Sequence, residues 1–165
     1  MKKIFLLIVL FIITSFVAFG ETSYNLGDLK MKKGNVTIVY VKESNRDLIK
    51  LVIKDMSFTS YIYIPSDLKK VRELIAKYND WCKIAADNKS VLNKPIGDLT
   101  TTRIDFQTND GKYEVAFVEP RTGVSNIILN QVETKTFIDI ISDKNIDLVI
   151  NDEKRKKEKE DKLFQ

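Results

Sequence analysis

Apolar residues recur along this chain at two spacings, and each change of spacing marks a change of element. Residues 36–41 (VTIVYV) are β-branched and aromatic on both faces, the composition of a strand. In the next run Ile49, Leu51 and Ile53 share one face, while Lys50 and Lys54 take the other. This is the period-2 pattern of a half-exposed antiparallel strand. A third strand over residues 58–64 stops at Pro65, which cannot donate to a ladder. The period then lengthens. Leu68, Val71, Leu74, Ile75, Tyr78, Trp81, Cys82 and Ala85 form one helical stripe, with Ser66 as N-cap and Asp67 in the first turn.

The second half repeats the plan. Residues 88–98, with Pro95 and Gly97, read as a loop. Residues 103–106 and 113–118 read as strands around the hairpin turn Asn109-Asp110-Gly111, because Asp-Gly accepts positive φ. A short strand over 126–129 leads to a helix from Val132, with Phe137, Ile138, Ile140 and Ile141 apolar. Two readings stay open for Ile146–Ile150: a further helix capped by Ser142, or a short strand. Val71, Leu74 and Ile75 precede Phe137, Ile140 and Ile141 by a constant 66 positions, the recurrence that a duplicated βββα unit would leave. The expected fold is α+β: a mostly antiparallel sheet of five to seven strands, two helices on one face, and a charged C-terminal helical tail. Residues 34–150 form the expected single domain, 21–33 a leader or edge strand, and 151–165 the tail.

The N-terminus changes the picture more than the composition does. Lys2 and Lys3 precede an apolar run, and Ala18-Phe19-Gly20 puts small residues before Glu21. Residues 1–20 are therefore expected to be a bacterial signal peptide cleaved near Gly20–Glu21, delivering the chain to the periplasm or the exterior. Left uncleaved, the same segment would be its membrane contact. The chain has 27 basic and 23 acidic residues; loss of Lys2 and Lys3 leaves a net charge of +2, too balanced to imply a polyanion partner. Nucleic acid is not expected as a partner. Cys82 is the only cysteine and histidine is absent. No intramolecular disulfide, no Ser-His-Asp or Cys-His arrangement and no histidine metal site can form.

Few residues carry candidate chemistry. Cys82 lies on the apolar helix stripe and reads as core. Asp139, Asp143 and Asp147 recur every four residues but lack a calcium loop, and read as solvated helix surface. Asp105 and Glu114 flank the second-half hairpin and are the carboxylate pair a small hydrolase would need. Asp152/Lys156, Glu153/Lys157 and Glu158/Lys162 are i,i+4 pairs along the tail. Lys50 and Lys54, with Tyr61 and Tyr63 on the next strand, are the candidate binding residues, a basic and aromatic sheet surface. No catalytic residue, metal ligand or cofactor is assigned. The expected function is that of an exported, non-enzymatic accessory protein binding a protein or glycan of the cell envelope. A small Asp/Glu hydrolase and a membrane-anchored extracytoplasmic domain are the alternatives.

Overall fold

The computed structural model describes residues 22–31, 34–42, 47–54, 59–65, 68–88, 91–109, 111–119, 121 and 125–163. The proposed signal segment and the Ser66–Asp67 cap lie outside them. Four strands, β1 (Thr22–Met31), β2 (Gly34–Lys42), β3 (Asp47–Lys54) and β4 (Thr59–Pro65), form an antiparallel sheet in chain order. Helix α1 (Leu68–Asn88) follows. A second antiparallel sheet, again in chain order, contains β5 (Lys94–Asp98), β6 (Arg103–Asn109), β7 (Lys112–Val118) and β8 (Ser125–Asn130). Helices α2 (Gln131–Ile140) and α3 (Asp143–Leu163) complete the described chain.

Alternation decides which side of each sheet faces inward. In the first sheet Ile38, Leu51 and Ile62 lie side by side in the register and are buried, while Thr37, Val52 and Tyr61 form the adjacent outer row. In the second, Ile104 and Phe106 on β6 join Val115 and Phe117 on β7 in the interior. One apolar core contains both inner faces together with Val71, Ile75 and Tyr78 of α1 and Phe137 of α2.

The helices tie the halves together. Helix α1 follows the first sheet but packs on β5, β6 and β7 of the second. Helix α2 leaves the second sheet and lies against β1 as well as β7 and β8, and α3 also packs on β1. Phe137 meets Phe117 edge to face at 5.5 Å, and the Tyr78 hydroxyl donates to the Tyr113 carbonyl at 2.9 Å. Across the helices, Arg72 of α1 makes a two-pronged contact with Asp143 (2.9 Å to each oxygen) and donates to the Ile141 carbonyl.

Local chemistry fixes the helix starts. The Asn130 side chain accepts from the Val132 and Glu133 amides, and Glu133 accepts from the Asn130 amide, a complete capping box. Ser142 Oγ accepts from the Asn145 amide, which decides the open question at Ile146–Ile150: these residues are helical, within α3. Gly111 has a φ of 70°, as the hairpin turn requires.

Two expectations are corrected. The described strands number eight and form two sheets, where one sheet of five to seven was expected, because α1 carries the chain away from β4 and β5 begins a new ladder. Helices α1 and α2 both contact the inner face of the second sheet, Tyr78 on Phe106 and Phe137 on Phe117, and α2 reaches β1 as well. Residues 94–98 are a strand, where a loop was read: Pro95 and Gly97 sit at a register shift on an edge, where a missing donor and a missing side chain are tolerated. β1 is an edge strand of the first sheet, with a register shift between Asn25 and Gly27.

Candidate functional site

The outer face of the first sheet is built from residues of one parity on each strand. Lys50 on β3 stands opposite Tyr63 on β4, and Val52 opposite Tyr61. On the other side of β3, Lys50 faces Val39 and Val52 faces Thr37. Lys30 and Asp28 of β1 extend the face, and Asp28 accepts a 2.7 Å hydrogen bond from Thr37 Oγ1. Tyr61 and Tyr63 are about half exposed although their neighbours Ile62 and Ile64 are buried. The strand alternation alone produces this: the same pleat that buries the isoleucines presents the phenols to solvent.

Lys50 does not point freely outward. Its ammonium lies 4.4 Å from the Tyr61 ring centroid and 5.7 Å from that of Tyr63. A cation at this distance is held by the negative face of the ring. Three of the four residues singled out from the sequence therefore come together. The fourth, Lys54, ends β3 opposite Thr59, and its side chain lies outside the described part of the structure.

A second basic and aromatic group was not read from the sequence. Trp81 of α1 has Lys77 at 5.1 Å and Lys94 at 5.5 Å from its ring centroid, and its edge meets Phe106 at 5.9 Å. The Lys77–Trp81 spacing of four was visible as a helix neighbour pair, whereas Lys94 arrives from another strand. Lys77 also donates to the Ile96 carbonyl at 3.1 Å, so its ammonium fastens α1 to β5.

The other candidates resolve into structural roles. Asp105 and Glu114 share a face of the second sheet without being direct partners: Asp105 lies opposite Ala116 and Glu114 opposite Gln107. Both Asp105 oxygens are taken by Arg103, at 2.6 and 2.7 Å, and this partner raises the Arg103 pKa. A carboxylate committed to a guanidinium fork is not poised to protonate a leaving group. Cys82 is buried, and burial pushes its thiol pKa up, against the opposing bonds to Tyr78 and Gln131. Burial likewise raises the phenols of Tyr40, which also donates to Asp47 at 2.6 Å, and of Tyr78. Asp139 and Asp143 fall on either side of the break between α2 and α3, so the acidic ladder is interrupted, and Asp143 pairs with Arg72. Among the described residues no three acidic or thiol groups converge as a metal site. Among the described residues the tail carries the i,i+3 contacts Asp152–Arg155 and Glu153–Lys156, and the Asp152 charge also acts on Lys156, one of the i,i+4 pairs expected. Among the described residues no helix is long and apolar enough to cross a membrane.

Comparison with protein-family models, with curated proteins and with solved structures finds no match to this chain.

Proposed function

We propose that this is an exported, non-enzymatic accessory protein that binds a protein or glycan of the cell envelope through the outer face of its first sheet. One observation carries the reading: Lys50, Tyr61 and Tyr63 form a single solvent-facing cluster, with the ammonium laid over both rings. Half-exposed tyrosines side by side on a sheet offer a flat apolar surface with hydroxyl donors at its rim, and the lysine adds a positive charge. Export rests on the leader of residues 1–20, with a mature form in the periplasm or outside the cell. The hydrolase alternative loses support because Arg103 occupies Asp105. The same reading takes the two halves as copies of one strand-rich unit, on the 66-residue recurrence of their helix positions.

Two measurements test it. Affinity capture from envelope extract should recover a stoichiometric partner with the wild-type chain and not with the Lys50→Glu/Tyr61→Ala double variant. Equal recovery by both would refute the site, and an empty capture beside measurable hydrolysis would favour the enzyme. Cell fractionation should find no intact Met1-bearing protein in the cytosol; its presence there would refute export.

A further inference from the structure

Resting on the reading above, we infer that the partner is a protein, and that an extended acidic segment of it adds to the free edge of β4 as a fifth strand. β4 ends the first sheet, and an edge strand presents unpaired amides and carbonyls to any incoming chain. Two observations show which residues of β4 turn those groups outward. Thr101 Oγ1 donates to the Tyr63 carbonyl at 2.9 Å, so that carbonyl points away from β3. Pro65, two positions on, has no amide to offer a ladder, and an edge strand tolerates proline where the donor would face outward. In an antiparallel strand both groups of a residue point the same way, and alternate residues share that direction. Thr59 and Tyr61 therefore have the same outward backbone as Tyr63.

The edges of β1 and β5 are managed differently. β1 is covered by α2 and α3, and Asn145 donates to its Leu26 carbonyl at 3.1 Å. β5 is five residues long, carries a register shift at Pro95–Gly97, and has its Ile96 carbonyl bound by Lys77. At β4 only the Tyr63 end is held, by Thr101, among the described residues. Thr59 and Tyr61 are left to form hydrogen bonds with an added strand, the geometry of β-augmentation.

Charge selects the occupant. The Lys50 side chain leans from β3 across the β4 tyrosines, toward the open edge. An added strand would lie about 4.8 Å beyond β4. Its outward-facing side chains would flank Tyr61 and Tyr63, and a carboxylate there reaches back to the Lys50 ammonium. Lys30 on the same face adds to the positive field, and the acid Asp28 on that face is already engaged by Thr37. A basic segment would be repelled.

The test uses the full chain and a synthetic alternating peptide, (Thr-Glu)4, with (Thr-Lys)4 as the charge control. Amide exchange followed by NMR should slow about tenfold at Thr59 and Tyr61 with the acidic peptide and not with the basic one. Methylating the acidic peptide's amide nitrogens at alternate residues should weaken binding about thirtyfold, the loss of two backbone hydrogen bonds. Unchanged exchange at Thr59 and Tyr61 under saturating acidic peptide would overturn the inference, as would equal protection by the basic one. Protection that grows with protein concentration and needs no peptide would overturn it in favour of a second copy. Polygalacturonate that shifts the Tyr61 and Tyr63 ring signals without slowing these amides would overturn strand addition yet leave the binding face intact. If neither probe perturbs those rings, the face reading fails with it.

Discussion

Replacing Phe137 by alanine tests whether the two halves share one core. Phe137 is 1% exposed, and its ring stands at 73° to Phe117 with centroids 5.5 Å apart. It belongs to α2, the helix that touches β1 of the first sheet as well as β7 and β8 of the second. Deleting a buried phenylalanine ring costs about 3–5 kcal/mol, the lost transfer energy plus the cavity. A domain of this size has about 5–15 kcal/mol of stability in all. With a urea m-value of about 2 kcal/mol per molar, the midpoint should fall by about 2 M and the slope should hold. Trp81, the only tryptophan, is a reporter in the other half's helix, packed on Phe106 of the second sheet. Its fluorescence and the far-UV circular dichroism should move together to the lower midpoint. Because Trp81 and Phe137 both pack on the second sheet, a tryptophan transition at the lower midpoint beside a dichroism component left at the wild-type midpoint would refute a shared core.

Four smaller perturbations follow from particular contacts. A Cβ at Gly97 would lie 2.6 Å from Leu74 Cδ2, so Gly97→Ala should lower stability by about 1–2 kcal/mol, read by thermal melting; no loss would show that Leu74 rotates freely away. Asn130→Ala removes two cap bonds, of 2.9 and 3.0 Å, and should cost about 1 kcal/mol, with a melting shift of about 3 °C. Arg72 holds the Asp143 carboxyl below the ordinary carboxylate value of about 3.9, so that pair's stabilisation is present above that value and is lost as pH falls through the folded one. The stability gap between wild type and Asp143→Asn should accordingly be widest near neutrality and close in acid; a gap independent of pH would refute the assignment. Cys82, buried and with a raised pKa, should react with a disulfide reagent only as fast as the protein opens, and in urea at the rate of a free thiol.

Much of the candidate site was legible because strand parity is a local property. Lys50, Tyr61 and Tyr63 could be placed on one face from alternation alone, since the buried Ile49, Leu51, Ile62 and Ile64 that flank them fix which way each side chain points. What alternation could not give was the pairing register, and hence that Lys50 lies over Tyr61 and Tyr63. The Trp81 cluster was half visible: Lys77 is one helical turn away, but Lys94 depends on where β5 docks. β5 itself was hidden because Pro95 and Gly97 are breakers in a central strand and acceptable only on an edge. Whether a strand is an edge is not written in its own residues.

By itself, then, the order of residues determined the helix stripe from Leu68 to Ala85, the hairpin at Gly111 and the inward side of most strands. All of these depend on neighbours a few positions away, where periodicity and backbone preference act directly. Only the tertiary structure decided that the strands split into two sheets, that α1 crosses onto the second and α2 onto β1, and that Arg72 meets Asp143. Such choices are settled by how separate apolar faces exclude water together. The energy of that burial is shared among residues far apart in the chain, and no local pattern records it.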